Sequence, residues 1–293
     1  MTDFKMGLIR PASRQGSRVD FAGFRPFPSD WWSDRTIHNP YEADAIYLDL
    51  DYLDCNKDFA EISETKSFQD NAHKCFCYSM HDNPTFAYRP WSEHVTKFIA
   101  QPLVQNCKNI IPVPLQMRHF ERELIKDSKF IEQCRNRKKE YDYIFVGQVK
   151  YANRDWLYPE NIKPRLLTGS SYLFRETEPI WNIKTVEDRV NLVKDFCWEL
   201  AGARFAFCPR GIGSSSFRLF QSLMVGTVPI LTGMIDYPMR EVVNWDRIAL
   251  YIPPTRPLTD YEGRREDGIK AWDNYFHMTK TDEYLFEKYL EKK

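Results

Sequence analysis

The chain has 293 residues, 43% apolar and 28% charged, which suits a globular protein of two ordinary-sized domains and excludes a disordered or fibrous chain. Its 41 basic and 41 acidic side chains cancel, removing the broad positive field that a phosphate backbone requires, so nucleic acid is excluded as the main partner. The opening stretch MTDFKMGLIRPASRQGSRVD lacks the apolar core of about 7–15 residues that marks a secretory signal, and no segment approaches the ~20 apolar residues of a membrane span, so the chain reads as soluble.

In chain order, DAIYLDLDYL (Asp44–Leu53), KCFCYSM (Lys74–Met80) and KNIIPVPL (Lys108–Leu115) read as short strands between polar, proline-bearing loops. SEHVTKFIAQPL (Ser92–Leu103) reads as a turn or short helix entering an extended segment. Arg118–Asp142 has helical apolar spacing at its start and a basic end, read as a solvated linker, with a domain boundary between residues 120 and 140. YDYIFVGQ (Tyr141–Gln148) is a buried-type strand stopping at Gly147. Thr185–Ala203 has a threonine cap, acids in its first turn and glycine near its end, which predicts a helix. RFAFCP is a strand, SSFRLFQSLMVG a helix ending at Gly226, and TVPILTG a strand again. This alternation predicts a parallel sheet with helices on both faces, whose ligands bind beyond the carboxyl ends of the strands. The aromatic stretch from Gly268 to Lys293 reads as helical.

Seven cysteines (Cys55, Cys75, Cys77, Cys107, Cys134, Cys197 and Cys208) are scattered without metal-ligand spacing, and read as buried free thiols of a reducing compartment. His38, His73, His94, His119 and His277 show no ligand spacing either. Asp49-Leu50-Asp51 has the hard oxygen ligands that suit Mn²⁺ or Mg²⁺, but here it reads as a strand with acids at its rim, and no metal site is expected.

The chemistry concentrates in Arg204–Leu231, RFAFCPRGIGSSSFRLFQSLMVGTVPIL. Arg210, Gly211 and Gly213 leave a strand, and Ser214, Ser215 and Ser216 lead into a helix, so backbone N–H groups, hydroxyls and the positive end of a helix dipole meet at one place. That place suits an anion, and Arg210 and Arg218 add charge-assisted donors, which makes a diphosphate the natural candidate. Two other readings stand beside it. One is an ordinary strand-to-helix turn with Arg210 in a salt bridge. The other is a dinucleotide fingerprint, for which Gly211-x-Gly213 and Asp236 have the spacing while Ser216 replaces the third glycine.

The longer pattern, C-P-R-G loop, R-L-F helix and V-P-I strand, preceded by YIFVGQVKYANR and followed by VVNWDRIALYIP, resembles the exostosin-like glycosyltransferases (family 47) over residues 75 to 255. The resemblance implies an α/β fold of GT-B type, two Rossmann-like domains with parallel sheets facing a central cleft. Its parts would be residues 1–125 as an acceptor-side domain, 126–260 as the nucleotide-sugar domain and 261–293 as a helical segment crossing back. It implies inverting transfer from a UDP-sugar, such as UDP-xylose or a UDP-hexuronic acid, to a hydroxyl of an oligosaccharide or glycoprotein glycan, with no further cofactor. By the same resemblance Gly147, Arg154, Arg210, Gly211, Gly213, Ser214, Ser215, Ser216 and Arg218 match the nucleotide-sugar site. Gln221 stands where the family commonly has glutamate, exchanging two ribose acceptors for one acceptor and two donors. In YSMHDNP, Asp82 is the expected base and His81 the next candidate, against the simpler role of Asp82 as a turn cap. Without an anchor of its own, the chain is expected to be a cytoplasmic relative, viral or bacterial, or else an excised Golgi lumenal catalytic domain. An NAD-dependent oxidoreductase and a non-catalytic nucleotide- or glycan-binding module are the alternative functions.

Overall fold

A computed structural model of the chain describes residues 5–9, 39–50, 55–79, 85–88, 92–102, 109–115, 124, 127–150, 154–177, 182–183, 185–211, 213–233, 237–254 and 257–290. In chain order the main elements are β1 (Met6–Ile9), β2 (Ala45–Leu48), α1 (Cys55–Ser63), α2 (Lys66–Asn71), β3 (Cys75–Ser79), β4 (Thr96–Ile99), β5 (Ile110–Pro112) and α3 (Ser128–Asn136). There follow β6 (Tyr141–Gly147), β7 (Tyr172–Glu176), α4 (Val186–Ala201), β8 (Ala203–Pro209), α5 (Phe217–Val225), β9 (Val228–Thr232), α6 (Tyr261–Ala271) and α7 (Met278–Tyr289). They form two compact units, one drawn from Met1–Arg118, Ile235–Met239 and His277–Lys293, the other from His119–Met234 and Arg240–Phe276.

The first unit carries a parallel sheet in unbroken chain order, β1-β2-β3-β4-β5. Right-handed crossovers between successive strands put the connections of such a sheet on one face. Side-chain alternation follows. Ile46, Leu48, Cys75, Cys77 and Ile99 pack with Phe59 and Ile62 of α1 and Phe68 of α2. The intervening Tyr47, Phe76, Tyr78 and Phe98 stack among themselves on the other face, where Phe98 meets Tyr289 of α7 at 6.1 Å and the Tyr78 hydroxyl donates to Asp282 of α7 at 2.9 Å. Helix α7 thus packs on the face opposite α1 and α2.

The second unit carries a parallel sheet ordered β7-β6-β8-β9. The chain steps from β6 to β7 in one direction and then returns to the other side of β6 for β8, so the order reverses between β6 and β8. Both strands are almost wholly buried, as expected of a parallel sheet covered on two faces. Helix α4 begins at Thr185, whose hydroxyl oxygen accepts from the Asp188 N–H at 3.1 Å, and ends at Gly202. Helix α5 ends at Gly226 in the left-handed region (φ 73°), which explains a glycine there.

Residues 92–95 form a turn that leads into the strand Thr96–Ile99, as the sequence reading of a turn entering an extended segment expected. One segment differs from the sequence reading. The basic end of Arg118–Asp142 is not a solvated linker: α3 is capped by Asp127, whose side chain accepts from the Phe130 N–H at 3.1 Å. Beyond it, Lys139 donates to the Ala201 and Gly226 carbonyls at 2.8 and 2.9 Å. Cys55, Cys75, Cys77, Cys134, Cys197 and Cys208 are buried free thiols, and Cys107 lies outside the described residues. No helix among the described residues is long and apolar enough to cross a membrane.

Candidate active site

The carboxyl ends of β6 and β8 flank the point where strand order reverses, which is where open α/β sheets leave a crevice for ligands. The turn after β6 begins at Gly147, and the loop after β8 runs from Arg210 to Ser216 into α5. Two backbone bonds shape that loop: the Arg210 N–H donates to Thr232 at 3.1 Å and the Gly211 N–H to Ser215 at 2.9 Å. Ser214, Ser215 and Ser216 are buried. Ser216 is the N-cap of α5 yet makes no side-chain capping bond, and the Ser214 hydroxyl has no hydrogen-bond partner among the described residues. The positive end of the α5 dipole and the unpartnered Ser214 hydroxyl thus stand together where an anion is favoured.

Three arginines surround the loop, and among the described residues none of them has a carboxylate partner. Arg210 is exposed, its stem lying against Gly233, where a Cβ would meet its Cδ at 3.4 Å. The ordinary-turn reading required a salt bridge here. Arg154 donates from Nη1 to the Gln148 carbonyl at 2.9 Å and from Nη2 to the Arg210 carbonyl at 2.5 Å, while its Nε is enclosed without a partner. Arg218 donates from Nε and Nη2 to the Val146 carbonyl at 3.1 and 2.6 Å and lies 4.6 Å from the Phe145 ring centroid. Burial pushes the Arg218 guanidinium down to about 10, and the neighbouring Arg154 charge adds to that. Burial also lowers Arg154. Both remain cations at neutral pH. Two cations gathered in low dielectric without an anion cost free energy, and an anionic ligand relieves that cost.

Gly147 has a specific reason to be glycine. Its φ is 154°, and a Cβ would lie 2.1 Å from Arg218 Nη2. Gln221, in the second turn of α5, is buried, and its amide makes no hydrogen bond among the described residues. The structure thus brings together Gly147, Arg154, Arg210, Gly211, Gly213, the three serines, Arg218 and Gln221 in the second unit. Asp82 and His81 lie outside the described residues, as do Asp51 and Asp236. Asp49 is buried at the end of β2. Among the described residues no group of three or more His, Cys, Asp or Glu side chains is placed to hold a metal ion.

What sequence reasoning missed is the set of carbonyl acceptors. The arginines themselves were legible, but their bonds to Val146, Gln148 and Arg210 depend on how two turns meet, which no local pattern records.

Several solved structures are similar to the chain at low identity, among them two in complex with UDP. One is a mutant of S. aureus TarM in complex with fondaparinux, α-GlcNAc-glycerol and UDP, 11% identical, covering 84% of this chain and 53% of its own, with a TM-score of 0.34. The other is the pneumococcal O-GlcNAc transferase GtfA in complex with UDP and GlcNAc, also 11% identical, covering 83% of this chain and 52% of its own, with a TM-score of 0.32. This chain spans about half the length of both. The exostosin GT47 domain matches residues 105–262, more than half of the chain and the whole of the sheet and loops just described. The chain accordingly belongs to the exostosin GT47 family of glycosyltransferases.

Proposed function

We propose that the protein is an inverting glycosyltransferase that moves a sugar from a UDP-sugar, of the UDP-xylose or UDP-hexuronic acid class, to a hydroxyl of a glycan acceptor. The observation that carries this reading is the convergence, at the switch point of the second sheet, of a helix N-terminus with three arginines that lack a carboxylate among the described residues. Membership of the family supplies the reaction class. In the reaction, a base takes the acceptor hydroxyl proton as its oxygen attacks the anomeric carbon. The bond from that carbon to the diphosphate oxygen breaks, and the electron pair leaves with UDP. Arg210 and the N-terminus of α5 stabilise the charge that builds on the departing diphosphate. Gln221, standing where the family commonly has glutamate, offers one acceptor and two donors in place of a carboxylate's acceptors. Asp82 is our candidate base, with His81 next. Arginines and a helix dipole supply the positive charge, so the proposal includes no metal and no further cofactor.

A screen of UDP-sugars by donor hydrolysis, with and without EDTA, tests the reading. Hydrolysis or transfer with at least one UDP-sugar, unchanged in chelator, is expected. Loss of activity in EDTA with recovery in Mn²⁺ would instead place Asp49 and Asp51 at a metal. UDP binding without turnover of any donor would leave a nucleotide-binding module.

A further inference from the structure

Arg154 was expected to reach a diphosphate directly, but its geometry is that of a tie between two turns. It is nine-tenths buried, at 9% exposure. Each terminal nitrogen faces a backbone carbonyl: Gln148 in the turn after β6, and Arg210 in the loop after β8. The remaining nitrogen, Nε, is enclosed. These carbonyls stand on the two sides of the switch point, so one planar guanidinium holds the turn after β6 against the loop after β8. Arg210 differs in each respect, being exposed and free of carboxylates among the described residues.

We propose that Arg154 is a positioning residue of the diphosphate site. By bridging the Gln148 and Arg210 carbonyls it sets the backbone from which the Arg210 side chain and the loop N–H groups converge on one anion, while Arg210 makes the ionic contact. The inference rests on the nucleotide reading above. It depends on the rigid fork of arginine, because a lysine nitrogen would fall at the place of the arginine Cζ, one bond short of both donor positions. Charge alone does not replace it.

The test is calorimetric titration of UDP into the wild-type protein, Arg154→Lys, Arg154→Gln and Arg210→Gln, at low and high salt and well below each melting temperature. Arg154→Lys is expected to lose about as much affinity as Arg154→Gln, on the order of tenfold, the equivalent of one misplaced hydrogen bond. Both should keep the wild-type ratio of Kd between the two salt concentrations. Arg210→Gln should lose affinity and shrink that ratio, because it removes a screened ionic contact. A merely structural role would leave folded Arg154 variants binding UDP as the wild type does. Arg154→Lys binding within about twofold of wild type, or Arg154→Gln with a reduced salt ratio, overturns the proposal. If the Arg154 variants do not fold, a crystal structure of the wild-type protein with UDP gives the answer. Arg154 should remain on the two carbonyls with no phosphate oxygen within hydrogen-bond distance, and a direct phosphate contact overturns the proposal. A folded wild-type protein that does not bind UDP fails the nucleotide reading itself, a result distinct from all of these.

Discussion

Arg210 is the residue on which the proposed donor site depends most directly, since it is an exposed cation of the loop and no carboxylate among the described residues competes for it. Arg210→Ala is expected to weaken UDP binding by about 1.5–3 kcal/mol, the worth of a hydrogen bond to a charged group, read by calorimetry. Unchanged affinity would remove the loop from the site. Gly147 tests the same site through packing. A methyl group there would meet Arg218 Nη2 at 2.1 Å, and Arg218 has little freedom to retreat, being bonded to Val146 and set beside Phe145. Gly147→Ala should cost ~1–3 kcal/mol of stability through overpacking and reduce UDP affinity as well. A variant that melts and binds like the wild type would show that Arg218 moves aside freely. Both residues were legible in the sequence, Arg210 from its C-P-R-G context and Gly147 from its place at a strand end. The clash that forbids a side chain at 147 was not, because Arg218 is 71 positions away along the chain and reaches it only through the pairing of β6 with β8.

At the scale of elements, the order of strands decides where a ligand can sit. The first sheet runs in chain order and has no reversal, whereas the second reverses between β6 and β8, beside the predicted loop. The strand and helix sequence from Tyr141 to Thr232 was legible apart from β7, whose half-buried YLFRE lacks the apolar run of its neighbours. Buried runs and glycine caps made the other elements plain, but strand order is a matter of long-range pairing that periodicity does not encode. Lys139 was missed for a related reason, since in the sequence it belongs to a basic run. In the fold it holds the carboxyl ends of α4 and α5 through the Ala201 and Gly226 carbonyls. Burial, reinforced by Arg265, pushes its amine down from 10.5 to about 7. Between those two values the unfolded chain holds the proton and the folded one releases it, so this group's contribution to stability rises with pH across that window and is flat below it. Urea denaturation of wild type and Lys139→Met at pH 6 and pH 9 should show a stability difference that shifts in favour of the wild type at the higher pH. A difference independent of pH would mean the amine titrates normally.

At the scale of the whole molecule, the chain comprises two units that each bury their own sheet, and aromatics of the C-terminal segment act as core, as the family resemblance implied. Trp272, Phe276 and Phe286 are all buried. Phe98 is the keystone of the face that α7 covers, touching Phe76, Tyr78 and Tyr289, so Phe98→Ala should destabilise the first unit by about 3–5 kcal/mol in denaturant. Much smaller loss would mean that α7 does not seal that face. The parallel sheet of the second unit was readable from alternating apolar runs and helices, whereas that of the first was expected only through the family resemblance. The candidate base was reached only through YSMHDNP, with no supporting pattern elsewhere, and it falls outside the described residues.

The central claim is that the switch point of the second sheet holds the diphosphate of a uridine nucleotide. The most direct measurement is calorimetric titration of the wild-type protein and Arg210→Ala with UDP and, in parallel, with NADH. The account predicts saturable UDP binding at one site per chain, weakened in Arg210→Ala, and no binding of NADH. Binding of NADH without UDP, or UDP binding that Arg210→Ala leaves unchanged, would contradict it.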